Sequence, residues 1–235
     1  MKVNAYLLRS TVVAALGGLL FGFDTAVIAG TTSALSVVYQ LSKTSLGTTV
    51  ASALVGTIFG AMLAGIPGDK IGRRDSLRWT AILYFLSAVG AAFAWNWYAL
   101  LFFRFIGGLG IGASSVLGPM YVAEISPAKL RGRLVGFFQF NVVFGILLAY
   151  LSNYLLTRAN LGAAEWRWQL GVAAFPSAIF LLLLFTIPRS PRWLAENGRI
   201  EEAREVLKRT GEPESEKSLQ EIIVSIGGER GQQDE

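Results

Sequence analysis

The chain has 235 residues, 53% of them hydrophobic and only 16% charged, with a mean hydropathy of +0.49. Cysteine and histidine are absent, which excludes a disulfide framework, a thiolate metal site and a histidine base. The net charge is +5, unevenly spread: residues 1–187 hold 13 Lys/Arg against 5 Asp/Glu, and residues 188–235 hold 8 against 11. The charges are also bunched. Apart from Asp24, none lies between Arg9 and Lys43, and further gaps run from Lys43 to Asp69, Arg78 to Arg104, Arg104 to Glu124, Arg133 to Arg158 and Arg167 to Arg189. Uncharged stretches of about 20 residues are long enough to cross a hydrocarbon core as helices. The pattern is that of an integral membrane protein, and its basic excess needs no nucleic-acid partner.

In chain order, the pattern predicts six spans, roughly 8–34, 46–67, 78–96, 98–122, 134–157 and 169–187. The first is too long for a signal-peptide core and shows no small-residue cleavage site, so it reads as a retained span. With six spans, one side receives Lys2, Arg9, Lys70, Arg73, Arg74, Arg78, Lys129, Arg131 and Arg133. The other receives Lys43, Arg158 and Arg167. That asymmetry puts both ends of the chain in the cytoplasm. Trp95, Trp97 and Tyr98, and likewise Trp166 and Trp168, fall at aromatic-belt positions. Gly18/Gly22, Gly56/Gly60 and Gly108/Gly112 form GxxxG pairs, a spacing that lets helix backbones approach closely. Pro119 and Pro176 are expected to kink the fourth and sixth spans.

After Pro188 the composition becomes polar. Residues 193–211 read as one soluble helix ending at Gly211. Next, Leu219, Ile222, Ile223 and Ile226 fall at i, i+3, i+4 and i+7, one apolar face, with Gly227 as a stop signal and a frayed tail over 228–235. The expected fold is an all-α membrane protein: a six-helix transmembrane bundle over residues 1–187, capped by short cytoplasmic helices over 188–235.

Two charges sit inside spans. At about 1.5 Å per residue, Asp24 lies ~24 Å along the outgoing first span, and Arg104 lies ~9 Å inside the start of the incoming fourth. Both fall in the outer half of a ~30 Å core, close enough in depth to pair. Intramembrane charges are costly and normally face a partner or water. Between spans two and three, Gly65, Asp69, Lys70, Gly72, Arg73 and Arg74 match G-x-x-x-D-[RK]-x-G-[RK]-[RK] at every fixed position. A loop that is merely positive-inside explains the basic residues but neither the acid nor the glycine spacing.

That motif resembles the loop-2/3 signature of the major facilitator superfamily. More narrowly, "GGLLFGFDTAVIAG", residues 104–134 and "PRSPRWL" resemble, in order, elements of the sugar porter family. Phe23 stands where Tyr is usual, and Arg189 stands where that family carries Glu. The resemblance implies a twelve-helix transporter made of two six-helix halves. This chain matches the first half and the start of the intracellular helical domain, and a C-terminal six-helix half is the implied partner.

The resemblance also implies roles. Asp24 and Arg104 correspond to the proton-coupling pair: protonation of Asp24 would release Arg104 and bias the bundle towards another conformation. Gln139, Ile146 and Phe21 fall at positions that line the sugar site. Gln139 offers both a donor and an acceptor, and Ile146, two turns on, replaces a second Gln of xylose-transporting members and is compatible with hexoses. Asp69, Arg73, Arg74, Glu124, Arg131, Arg133 and Arg192 form a cytoplasmic salt-bridge network, in which Arg189 removes a negative partner and leaves the lock either weaker or differently paired. Plainer readings are helix–helix glue for Asp24–Arg104, an interhelical hydrogen bond for Gln139, core packing for Phe21 and topology charge for the network. The expected function is transport of a monosaccharide with a proton across the cell membrane, without cofactor or metal. A facilitative uniporter, a non-transporting sugar sensor and an incomplete half-transporter are the alternatives. An enzyme is not expected, since no nucleophile–base constellation is visible.

Overall fold

A computed structural model describes residues 4–233, which are helical with no strand among them. Long α1 (Ala5–Val38) begins at Asn4, whose side chain accepts from Leu7 N. The following helices are α2 (Lys43–Leu63), α3 (Gly65–Ile71), α4 (Arg73–Ala92), α5 (Trp97–Ile125) and α6 (Arg131–Arg158). A single 3-10 turn at Gly162–Ala164 leads into α7 (Glu165–Gly171) and α8 (Ala174–Leu183). Three short helices follow: α9 (Pro191–Glu196), α10 (Ile200–Thr210) and α11 (Ser215–Gln233).

Among the described residues, five segments are long and apolar enough to cross a membrane: α1, α2, α5, α6 and the composite Gly162–Leu183. The third predicted span, α4, carries Arg73, Arg74, Asp75 and Arg78 on its first turns, so only 79–92 of that helix is uncharged. It still runs within the bundle, packed against α5, α7 and α8.

Prolines explain two breaks that the sixfold count did not resolve. Pro67 has no N–H for the carbonyl of residue 63, and α2 gives way to α3 there. Pro176 likewise cannot bond Val172, whose carbonyl instead accepts from Phe175 N at 3.2 Å, and the sixth span divides into α7 and α8. Pro119 is accommodated inside α5, which stays one helix.

Close helix contacts are made where side chains are missing. A Cβ built on Gly56 or Gly60 would stand 2.2 Å from the carbonyl oxygens of Phe105 and Leu109, and one on Gly108 or Gly112 about as near those of Ala53 and Thr57. The α2–α5 seam is thus backbone against backbone. Gly22 and Gly145 do the same between α1 and α6, at 1.9 Å from Val142 O and 2.0 Å from Leu19 O.

The aromatic-belt expectation divides. Trp95, Tyr98 and Trp168 are exposed, whereas Trp166 is buried, edge-on to Tyr39 and under the Arg167 guanidinium. Packing against α1, α4 and α6 outweighs its position at the span's end.

Beyond the bundle, the predicted single helix over 193–211 is two helices, α9 and α10. Asn197–Gly198 interrupts it, with Gly198 at φ +75°, a conformation that side chains disfavour. Gly211 caps α10 in the left-handed region as expected. Leu219 is buried and Ile222 and Ile226 are half-buried against Trp193, Leu194, Ala203 and Leu207, while Ile223 is exposed. Gly227 does not stop α11, which continues to Gln233; of the predicted frayed tail, 234–235 lie outside the described residues. A helical Gly costs about 1 kcal/mol, too little to end a helix by itself.

Candidate functional site

Asp24 is the sole charge on the long apolar run of α1 after Arg9. The glycines at 17, 18 and 22 bring this part of α1 against α5, α6 and α8. Arg104, on α5, reaches it: Nη1 donates to both carboxylate oxygens at 3.2 Å. The Arg104 side chain is 4% exposed and that of Asp24 15%. A single nitrogen serves both oxygens, so this is not the two-nitrogen fork of the strongest Arg–carboxylate pairs. Arg104 Nε is buried with no hydrogen-bond partner among the described residues. Such a pair lacks the full complement of hydrogen bonds that would fix it. One turn or more away, Tyr84 OH bonds Ser114 Oγ at 2.9 Å and joins α4 to α5.

The expected sugar-site residues lie on either side of the α1–α6 seam. Phe138, Val142, Gly145 and Ala149 of α6 are buried in it. Gln139 and Ile146 lie one residue beyond two of these; Gln139 is exposed and Ile146 half-buried against the cluster of Phe23, Ala26 and Val27. Phe21 is half-buried against the other core cluster, which includes Leu20 and Leu117. No hydrogen bond or ring contact links Gln139 to Phe21 among the described residues. Two apolar grooves, of about 410 and 510 Å³, lie elsewhere: one beside Leu16, Phe23 and Phe175, the other beside Phe93, Trp168 and Phe175. Asp24, Arg104 and Gln139 line neither.

At the far end of the bundle the predicted charge network divides into two clusters. In the first, Arg73 is buried, with Nη2 3.1 Å from Asp69 Oδ1, Nε 2.9 Å from Glu124 Oε1 and Nη1 3.8 Å from Glu196 Oε2. The Nε–Glu124 contact is an ion pair too poorly aligned for a hydrogen bond. Arg73 Nη1 also donates to Gly68 O. Glu124 accepts from Ser190 Oγ, and Arg192 pairs with Glu196 at 3.1 Å. Gly72, at φ +92°, makes the turn, and a Cβ there would stand 3.0 Å from the Trp193 ring. Trp193 Nε1 donates to Asp69 O. The motif's glycine thus lets α9 dock on the α3–α4 turn.

The second cluster centres on Asp75, which the sequence reading missed. It takes Arg74 at 3.0 Å, Arg78 at 2.6 Å and Arg189 at 2.8 Å. Arg189, expected to leave the network either weaker or differently paired, turns to Asp75 and lies 4.5 Å over the Trp193 ring. Arg74 belongs here and not with Arg73. Arg131 and Arg133 are exposed and make no ion pair among the described residues. Glu196 and Ser190 were also missed. Glu196 follows Arg192 by four residues, a readable helical pair, and Ser190 before Pro191 is a readable N-cap.

Comparisons with known proteins agree with this architecture. The family described as "Sugar (and other) transporter" matches residues 10–234. The D-xylose-proton symporter of Escherichia coli K12 is 40% identical over 95% of this chain and 52% of its own length. The arabinose-proton symporter of Bacillus subtilis is 38% identical over 91% and 47%. Among solved structures, the major facilitator superfamily proton:xylose symporter XylE, bound to 6-bromo-6-deoxy-D-glucose, superposes with a TM-score of 0.93 at 39% identity, covering 98% of this chain and 55% of that one. The chain spans about half the length of the curated relatives it matches. These relatives are transporters and not enzymes. The chain belongs to the sugar transporter family of the major facilitator superfamily.

Proposed function

We propose that this chain forms the N-terminal half of a proton-coupled monosaccharide symporter in the cell membrane. Residues 1–187 are its transmembrane half and residues 188–235 the start of its cytoplasmic helical domain. The observation that carries this reading is the part-buried Asp24–Arg104 pair, an acid with no other charge beside it on α1 beyond Arg9, held by one guanidinium nitrogen. Among the relatives, the named substrates are D-xylose and arabinose, each with a proton. Protonation of Asp24 from outside weakens its hold on Arg104, and α1 and α5 become free to rearrange. Gln139, Ile146 and Phe21 contribute this half's side of the sugar path, and a six-helix partner half supplies the other.

At the cytoplasmic face, Arg73 with Asp69, Glu124 and Glu196, together with Arg192, latches α3–α4 to α5 and α9 while the site is open outward. Arg131 and Arg133 offer cations to the partner half. The test is uptake of labelled xylose, arabinose and glucose into proteoliposomes, with and without an inward proton gradient. Accumulation above equilibrium with the gradient alone supports symport. Equilibration at a rate indifferent to the gradient makes the protein a uniporter.

A further inference from the structure

A polar pocket of about 420 Å³ lies where α10 meets the first turns of α1 and α4. Its walls carry four guanidiniums, Arg74, Arg189, Arg199 and Arg209, against two carboxylates, Glu202 and Glu205. Counting the nearby Asp75 together with Arg78, which it also pairs, leaves the surplus at two, five guanidiniums against three carboxylates. A guanidinium has five N–H donors in a planar fork, and Arg189 spends one nitrogen on Asp75. Arg199 is clamped by Glu202, at 2.5 and 2.6 Å. Arg209 is held loosely, 3.5 Å from Glu205 and 5.3 Å over the Tyr6 ring. Asn4 Nδ2 donates to Arg209 O and ties the end of α10 to the start of α1. The pocket is therefore framed by α1, α4, α9 and α10, keeps surplus positive charge, and has donors to spare on Arg189 and Arg209.

Phosphate is the anion that this donor set fits. Arginine forks match its oxygens two at a time, and a monoester carries close to two negative charges at neutral pH, equal to the surplus on the walls. A monocarboxylate would leave half of it unbalanced. The volume lies within the ~300–1,000 Å³ of small-molecule sites. Arg189 creates the surplus: the Glu found at that position in the sugar porter pattern would leave three guanidiniums against three carboxylates on the walls.

We propose that this pocket binds a phosphate monoester, carried by a lipid headgroup or a soluble phosphorylated molecule, and that the bound dianion ties α10 to α1 and α4. The experiment titrates the full-length protein in detergent with glycerol 3-phosphate and with inorganic phosphate, at ionic strength matched with sodium chloride. It also reconstitutes the protein in phosphatidylcholine nanodiscs with and without phosphatidic acid. The readout is the thermal unfolding midpoint.

Saturable stabilisation by the soluble phosphates assigns the soluble source; stabilisation by phosphatidic acid alone assigns the lipid. In either case Arg189→Glu, which restores the family residue, and Arg209→Gln, at an exposed position, are each expected to raise the half-maximal concentration by about tenfold or more. Arg204→Gln, on the same helix but paired with Glu201 and Glu216, keeps the response. A wild-type protein that responds to neither source overturns the proposal, and so do Arg189→Glu and Arg209→Gln variants that respond as strongly as wild type.

Discussion

Arg104 Nη1 bridges the two carboxylate oxygens of Asp24 at equal distances of 3.2 Å, from a helix 80 residues away in sequence. The contact joins α1 to α5 through charge, at a place where both helices are otherwise apolar. The first expectation follows from its dependence on ionisation. Asp24→Asn keeps the shape but cannot exchange a proton. It should abolish gradient-driven accumulation of sugar in proteoliposomes while preserving sugar binding or counterflow exchange. A mutant that still concentrates sugar removes the coupling role.

The two partners should not be equivalent. Arg104→Gln leaves Asp24 in an apolar surround, where protonation can relieve it; Asp24→Asn leaves a guanidinium that cannot shed its proton. Removing one partner of a buried pair costs about 3–5 kcal/mol, and less where the survivor can neutralise. Thermal unfolding in detergent should therefore rank Asp24→Asn below Arg104→Gln at neutral pH. The double variant should be more stable than additivity predicts, because no charge is stranded. Strict additivity of the two effects would show that the pair is not coupled.

The α2–α5 seam gives a prediction about packing alone. In Gly60→Ala the new Cβ would stand 2.2 Å from Leu109 O and 2.9 Å from Leu109 Cα, against backbone that cannot rotate away. Overpacking of this kind costs about 1–3 kcal/mol. Gly47→Ala, with nothing within 4 Å, should be neutral or slightly stabilising, since Ala is the better helix former. Comparable melting of the two variants would mean that the helices are not in close backbone contact.

Much of this was legible beforehand, for physical reasons that differ by element. The spans followed from uncharged length, because water-excluded backbone must be helical. The GxxxG spacings foretold the close seams, because a missing Cβ is visible in sequence. Asp24 and Arg104 could be brought together because helical rise converts residue number into depth. What failed was local or long-range. The α9–α10 break rests on Gly198 adopting φ +75°, one of several glycines that composition does not tell apart. Arg189 looked like a lost negative partner, since the sequence does not show that Asp75, 114 positions earlier, would face it. Arg131 and Arg133 sit close in sequence to Arg73's partners, yet α6 carries them to the exposed side.

The last prediction concerns the latch. Arg73 is buried and touches Asp69, Glu124 and Glu196 from three helices, whereas Asp69 itself is largely exposed. Exposed pairs contribute only about 0–1 kcal/mol each, so the buried node on Arg73 should dominate the outward-open preference. Arg73→Gln removes three ion contacts at once and strands Glu124, while Arg73→Lys keeps the charge but not the planar fork. Because these 235 residues hold no cysteine, Gln139→Cys provides the one thiol of this half, in the proposed sugar path, and the parent without it is the labelling control. Its alkylation by an impermeant maleimide from the cytoplasmic side reports opening of the inner face. Losing about 1–3 kcal/mol from one state shifts a two-state equilibrium roughly 5–150-fold, so Arg73→Gln should speed labelling within that range. Arg73→Lys should fall between it and the parent. If Arg73→Gln labels at the parent rate, the charges around Arg73 hold α9 on the bundle but do not gate access, and the latch must be sought in contacts with the partner half.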